Sequence, residues 1–264
     1  MPGEAGHLAC DLADATAAAR ALRQAAPDAV IHTQAMSDVD RCELEPREAE
    51  RMNAQTVDHL CHALEASGVP ILVLSTDYVF DGTKGRPYDE DDTPNPISAY
   101  GRSKLEGERL ALQYSGAVVI RPSTLFGPGR NNFCDTVVER VRRGETVQAF
   151  IDQATSPTYT DDLAGALEAI LRAMRGDARR RMPRIVHATN GGGCRRIEFV
   201  TRVLELLGYP ASLVQPIRME EQARPAKRPA YSVLTSRHLA TIIGAQLRPW
   251  DEALHAYLRH RHWL

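Results

Sequence analysis

The sequence lacks a glycine-rich phosphate turn near its start, a bilayer-length apolar run, paired cysteines and any marked net charge. Each absence removes a class of protein. The 264 residues carry 32 basic and 34 acidic side chains, a formal net charge of −2. That balance makes no general electrostatic case for nucleic-acid binding. The 5 cysteines, at positions 10, 42, 61, 134 and 194, are widely spaced, with no Cys-x-x-Cys and no Cys/His ligand cluster. Neither a zinc site nor a disulfide framework is indicated, and a reducing cytoplasm fits. No stretch reaches the ~18 apolar residues of a membrane span. Pro2, Gly3 and Glu4 are wrong for a signal peptide. No repeat or low-complexity linker divides the chain, so one unit is expected.

Several local features have ordinary structural readings. The basic run Arg172, Arg175, Arg179, Arg180, Arg181 and Arg184 follows an amphipathic helix and reads as a solvated helix end. His255, His260 and His262 have the spacing and basic surroundings of a surface helix end rather than a metal site. Trp250 and Trp263 read as packing anchors.

What is present is alternation. Residues 14–26 are alanine-rich and helix-forming, with Asp14 or Thr16 as the cap. Pro27 and Asp28 then lead into an apolar strand, Ala29 to His32, and a loop from Thr33 to Asp40. A helix over 47–66, a strand at 71–75, a long Gly/Pro/Asp-rich loop over 81–97, a helix over 99–114 and a buried strand at 117–121 follow. Strand alternating with helix predicts an α/β doubly wound parallel sheet. Beyond 122, helices are expected at 131–143, 160–175, 195–207 and 249–260, with a short strand at 147–151. A chain of this length can build one α/β domain and a smaller lobe.

Tyr100 and Lys104 are the chemical signal in this frame. A helix sets residues i and i+4 on one face, so the Lys104 ammonium is expected beside the Tyr100 phenol. A nearby cation favours phenolate and lowers a tyrosine pKa, toward use as a general acid. Thr76, at the C-terminal end of the 71–75 strand, supplies a third hydrogen-bonding group.

The wider pattern resembles the extended short-chain dehydrogenase/reductase family, most closely its dTDP-4-dehydrorhamnose reductase branch. The resemblance rests on Leu74-Ser-Thr-Asp-Tyr-Val-Phe-Asp-Gly82, Tyr88-Asp-Glu90, Pro94-x-Pro96, Tyr100-Gly-x-Ser-Lys104 and Gly107-Glu108. It continues through Arg121-Pro122-Ser123, Asn131-Asn132-Phe133, Asp152-Gln153, Ser156-Pro157-Thr158, Arg228-Pro229 with Ser232, and Leu247-Arg248-Pro249-Trp250. It implies a Rossmann-like fold with a sheet core over about residues 7–160. Substrate-binding elements are then expected mainly over 122–145 and 185–235, in a small C-terminal lobe.

The resemblance also implies roles. Thr76, Tyr100 and Lys104 would be catalytic. Asp11 and Leu12 would meet the adenine, and Ala35, Met36, Ser37, Leu74, Tyr100 and Lys104 would line the rest of an NADPH or NADH site. Thr76, Asp77 and Thr124 would face the substrate. Gln34 and Met36 depart from the family pattern, and Thr124 stands where rhamnose-forming relatives often carry tryptophan. Asn53 is either an exposed helix residue or a bridge to the active-site strand. No protein metal site is implied, although Mg2+ at an interface occurs in some relatives; a homodimer is the corresponding expectation.

His7 to Leu12 resembles the family's third strand and Pro27 to Thr33 its fourth. The first strand, its glycine-rich turn, the first helix and the second strand have no counterpart ahead of them. The Rossmann fold is thus expected to be N-terminally incomplete, through a coding start placed too late or through degeneration; the first is the favoured expectation. Gly191-Gly192-Gly193 lies too far downstream to replace the turn and reads as a substrate-lobe loop.

The implied activity is reduction by NAD(P)H of the C4 keto group of a nucleotide-linked 4-keto-6-deoxy sugar, on the route to dTDP-L-rhamnose. Two other readings remain. A non-catalytic regulatory relative, like the β-subunit of methionine adenosyltransferase, would have no need of Thr76, Tyr100 and Lys104 together. A nucleotide-sugar epimerase would need tightly held NAD. Dehydratases usually follow the threonine with Asp-Glu, and here Asp77-Tyr78 follows.

Overall fold

A computed structural model of the protein describes residues 6–175 and 182–264. Pro2, Gly3 and Glu4, and Arg179, Arg180 and Arg181 of the basic run, lie outside them.

Helix α1 (Ala15–Ala25) begins where the Asp14 carboxylate accepts the Thr16 and Ala17 amides at 2.8 and 3.1 Å. Of the two expected caps, Asp14 is therefore the one used. Strand β1 (Val30–His32) follows. Residues 33–40, expected as a loop, run into helix α2 (Val39–Leu44), capped by Asp38. Six residues with one buried apolar side chain, Cys42, are too few to show helical periodicity. The expected 47–66 helix is α3 (Pro46–Glu50), a π-helical turn at Arg51–Gln55, and α4 (Thr56–Leu64). Such a turn is an insertion in an α-helix that often marks a working site.

Strand β2 (Ile71–Leu74), helix α5 (Ala99–Ala111), strand β3 (Ala117–Arg121) and the short β4 (Leu125–Phe126) come next. Then follow α6 (Phe133–Arg142), β5 (Val147–Phe150), β6 (Ala154–Thr155), β7 (Thr158–Tyr159) and α7 (Thr160–Ala173). The chain continues through β8 (Ile185–His187), β9 (Cys194–Arg195), α8 (Arg196–Leu207) and β10 (Val214–Ile217). It ends with α9 (Arg237–Ile243) and α10 (Trp250–His260).

The main sheet runs β1-β2-β3-β8, every neighbouring pair parallel. Strands β2 and β3 are apolar along their length because helices cover both faces, as parallel sheets require. One face packs on α7 and α9 through Leu72, Ile120, Ile170 and Leu239; the other packs on α4 and α5 through Val57, Leu60, Val73 and Ala111. A second core, built from α6, α8 and α10 with β5, forms the smaller lobe. The expected lobe boundary shifts accordingly. Residues 185–187 belong to the sheet, whereas 250–260 help build the lobe core. Strand order, not chain order, decides membership.

His7 to Leu12 form no strand: residues 7–11 are irregular, and Leu8 is 44% exposed. A strand is held by its ladder to a neighbour. Ahead of Val30 the described residues contain no strand, so β1 is an edge and Ile31 on it is 43% exposed.

Beneath the sheet's C-terminal edge is a buried ion pair. The Arg121 guanidinium grips Glu108 at 2.8 and 2.6 Å, with the two side chains 1% and 2% exposed. The Ser75 hydroxyl donates to the same carboxylate at 2.5 Å. The pair therefore ties α5 to β3 and to the end of β2.

Candidate active site

Two residues past strand β2 stands Thr76, whose hydroxyl oxygen accepts the Tyr78 amide at 3.2 Å and so turns the chain away from the sheet. Helix α5 crosses above this turn. Ser98 caps it, and Glu43 of α2 accepts the Ala99 amide at 2.7 Å. The crossing is close because residue 101 is glycine: a Cβ there would lie 2.2 Å from the Tyr78 carbonyl oxygen. Gly107, further along the helix, permits a second close approach, where a Cβ would come 2.4 Å from the Asn53 carbonyl of the π turn. Thr76, Tyr100 and Lys104 thereby meet. Thr76 is near enough to Tyr100 to influence the titration of its phenol, and the Lys104 ammonium donates to the Leu74 carbonyl at 2.6 Å.

The electrostatics differ from the sequence expectation. The Tyr100 phenol titrates above its ordinary value, not below it. Burial disfavours phenolate most strongly; Thr76 opposes this, and Asp77, Tyr78 and Cys42 add to it. With its own pKa near 8, Lys104 has lost its charge before so elevated a phenol titrates, and its ammonium is held on the Leu74 carbonyl. Burial lowers the Lys104 pKa to about 8, against raising contributions from Glu108 and Cys42. Tyr100 nevertheless keeps part of its surface exposed.

Ala35, Met36 and Ser37 form the loop after β1, and Asn53 holds that loop. Its side chain accepts the Met36 amide at 2.8 Å and donates to the Met36 carbonyl at 3.1 Å and the Ser103 hydroxyl at 2.9 Å. Asn53 is thus neither exposed nor tied to the strand: 1% exposed, it bridges the loop to the helix that carries Tyr100 and Lys104. The adjacent Gln34 Oε1 is buried without a partner. Asp11 and Leu12 lie apart from the Thr76 group, in the turn before α1. Asp11 accepts the Ala13 amide at 2.9 Å and is exposed; the Leu12 carbonyl meets His59 Nδ1 at 3.0 Å.

The groups present suit the ribose and nicotinamide end of a dinucleotide: a buried ammonium as donor, a buried orphan amide oxygen as acceptor and the loop at Ala35–Ser37, all at the C-terminal edge of a parallel sheet. The pyrophosphate end is less served. Ahead of Val30 the described residues contain one glycine, Gly6.

On the substrate side, Asp77 departs from expectation. It is 3% exposed and accepts from the Thr76, Ser123 and Ser232 hydroxyls at 3.2, 2.9 and 2.5 Å. Both its oxygens are committed within the protein, so it pins the threonine turn rather than facing a ligand. Thr124, partly buried, follows β3 in a left-handed conformation, φ +39°, with its carbonyl accepting the Thr158 amide at 3.0 Å.

Sequence reasoning missed the next group. Tyr78 stands edge-on to Tyr100, ring centres 5.9 Å apart, and Gln153 donates to its hydroxyl at 3.4 Å. Beyond it opens a cavity of about 430 Å3 lined by Phe150, Gln153, Arg224 and Arg228 among others. Arg224 stacks over Phe150 at 5.0 Å. Arg196 stacks over Phe133 at 4.5 Å, and its charge reaches Tyr78 and Arg224. The sequence signals were Tyr78, Phe133, Gln153 and Arg228, which belong to the motifs of the resemblance but carried no assigned role. A larger cavity, about 780 Å3, opens beside Gly191–Gly193; Thr76, Tyr100 and Lys104 line neither cavity, and it is the smaller one that Gln153 and Tyr78 link to Tyr100. Among the described residues no group of three or more His, Cys, Asp or Glu is arranged to hold a metal, so nothing supports the Mg2+ expectation. No helix among them is long and apolar enough to cross a membrane.

A parallel sheet with this lobe and this helix has the Rossmann-like architecture shared by nucleotide-sugar reductases and dehydratases. The RmlD substrate binding domain family matches residues 4–262, and the chain belongs to that family. The dTDP-4-dehydrorhamnose reductase of Streptomyces griseus is 37% identical over 252 residues, covering 94% of this chain and 81% of the relative. That of Mycobacterium tuberculosis is 37% identical over 251 residues, covering 92% and 80%. The crystal structure of the Bacillus anthracis reductase in complex with NADP superposes with a TM-score of 0.87 at 28% identity, covering 95% of this chain and 87% of that one. The dTDP-glucose 4,6-dehydratase DesIV of Streptomyces venezuelae, at 22% identity and a TM-score of 0.78, shares the fold.

Proposed function

We propose that this protein reduces the C4 keto group of a dTDP-linked 4-keto-6-deoxy sugar, as a dTDP-4-dehydrorhamnose reductase does, with NADPH or NADH as the reductant. The observation that carries the reading is the convergence of Thr76, Tyr100 and Lys104 at the sheet edge, Thr76 influencing the Tyr100 phenol and Lys104 anchored on the Leu74 carbonyl. A bound nicotinamide supplies the hydride. The protein's own residues position the carbonyl and move a proton. Thr76 Oγ1 orients the carbonyl oxygen, and the Tyr100 phenol, kept protonated by burial, donates to that oxygen as alkoxide develops on it. Lys104 offers its ammonium to the ribose beside Leu74, with Met36 and Ser37 as the facing wall. Phe150, Gln153, Arg196, Arg224 and Arg228 receive the nucleotide and its diphosphate, through ring stacking and guanidinium–phosphate pairing.

A binding-only role gives no reason for the buried proton donor to be assembled. The test is loss of NADPH absorbance with the dTDP-linked keto sugar. Tyr100→Phe is expected to lower kcat by about 10²-fold or more while leaving dTDP affinity unchanged. Turnover by Tyr100→Phe at the unsubstituted rate, or no turnover by the unsubstituted protein with either NADPH or NADH, overturns the reading.

A further inference from the structure

Helix α2, between the cofactor loop and α3, contacts three parts of the site at once. Its Cys42 thiol donates to the Met36 carbonyl at 3.3 Å, in the loop assigned to the cofactor. Its Glu43 carboxylate accepts the first amide of the Tyr100 helix. Its Asp40 reaches the opposite wall, gripping both terminal nitrogens of Arg228 at 2.6 and 2.7 Å and accepting the Ala226 amide at 3.1 Å. Arg228, with its side chain 11% exposed, turns back on the Ala226 carbonyl at 2.8 Å. Arg224, Ala226 and Arg228 line the 430 Å3 cavity.

We propose that Asp40 is a positioning residue for the nucleoside-diphosphate end of the substrate: through Arg228 and Ala226 it fixes that cavity wall to the helix behind the cofactor loop, so that occupancy of one ligand site is felt at the other. The inference rests on the function proposed above. Arg224 and Arg228 repel each other, and Arg196 adds to the positive field at Arg224. Asp40 is the carboxylate that pairs Arg228 and attracts Arg224. A bidentate clamp gives geometry as well as charge. Without it the guanidiniums spread and the 224–228 segment loses its tie to α2. Coupling of this kind is reciprocal, so cofactor binding must change dTDP affinity by the same factor as dTDP changes cofactor affinity.

The experiment is calorimetric titration of dTDP with and without saturating NADPH, on the full chain and on Asp40→Asn and Asp40→Glu, with urea midpoints as the folding control. In the unsubstituted protein NADPH is expected to tighten dTDP several-fold. Asp40→Asn is expected to weaken dTDP about tenfold, remove the NADPH effect and raise KM for the nucleotide sugar with kcat changed less than about twofold. Asp40→Glu, which keeps the charge on a longer arm, is expected to recover part of both effects. Equal dTDP affinity in Asp40→Asn, a persisting NADPH effect, or no such effect in the unsubstituted protein overturns the proposal and leaves the reductase reading standing. Failure of the unsubstituted protein to bind dTDP at all overturns both. If Asp40→Asn does not fold, Asp40→Glu decides: unchanged affinity and unchanged coupling in that variant also overturn the proposal.

Discussion

The Lys104 ammonium points at the Leu74 carbonyl, 2.6 Å away, and not at the Tyr100 phenol one turn back on the same helix. Its pKa near 8 therefore reports burial rather than an interaction with the tyrosine. In the proposed mechanism the ammonium is the working form, and it is lost as pH rises through about 8. The alkaline limb of kcat/KM should accordingly carry an apparent pKa close to 8. Folding should respond the other way. The unfolded lysine holds its proton to about 10.4, so between about 8 and that value the unfolded state binds more protons and stability rises with pH. Activity that falls while the urea midpoint holds or rises would match; a parallel fall of both would not.

Gly101 should tolerate no side chain. A Cβ 2.2 Å from the Tyr78 carbonyl oxygen must push α5 off the Thr76 turn, since the obstacle is backbone. Gly101→Ala is expected to cost about 1–3 kcal/mol of stability and to lower kcat well beyond the share of protein unfolded. An alanine variant with unsubstituted kcat would show that the helix can shift without disturbing Tyr100.

Asp77 separates two assignments. As the pin for three hydroxyls, its replacement by alanine should cost about 1–3 kcal/mol and reduce kcat by loosening Thr76. As a substrate contact, it would raise KM and leave the melting temperature unmoved. Thermal melts and kinetics on Asp77→Ala distinguish them.

His187 should make the fold acid-sensitive. It is fully buried, with Arg121 Nη1 3.4 Å from Nε2, the Thr235 carbonyl 3.0 Å from Nδ1 and His238 adding further positive charge. Burial, then Arg121, lowers its pKa to about 3. Between an unfolded value of about 6.5 and the folded one, the unfolded state binds the extra proton, so stability falls as pH falls. His32, lowered to about 4 by burial and Lys104, acts in the same direction. Urea midpoints at pH 7 and pH 5 should differ by less in His187→Gln than in the unsubstituted chain. An unchanged difference would rule out His187 as a source.

The alternation of strand and helix was legible because it is written in local periodicity and in breakers such as Gly68-Val-Pro70. So was the Tyr100/Lys104 pair, whose spacing a single helix converts into a shared face. His7 to Leu12 misled for a physical reason: six residues of suitable composition become a strand only when a neighbouring strand takes up their backbone groups. Helix α2 and the Asp40–Arg228 clamp were illegible, since 188 residues separate the two partners and neither position carries a periodic signal.

By itself, the sequence determined the class of fold, the strands at 30–32, 71–74 and 117–121 and which helix bears the Tyr100/Lys104 pair, all of which depend on contacts within a few residues. Only the tertiary structure decided where Lys104 points, that Asp77 faces inward, that Asn53 bridges and that two arginines, Arg224 and Arg228, border one cavity. Those outcomes depend on burial and on partners brought together from distant segments, and both exist only once the sheet and the lobe have packed.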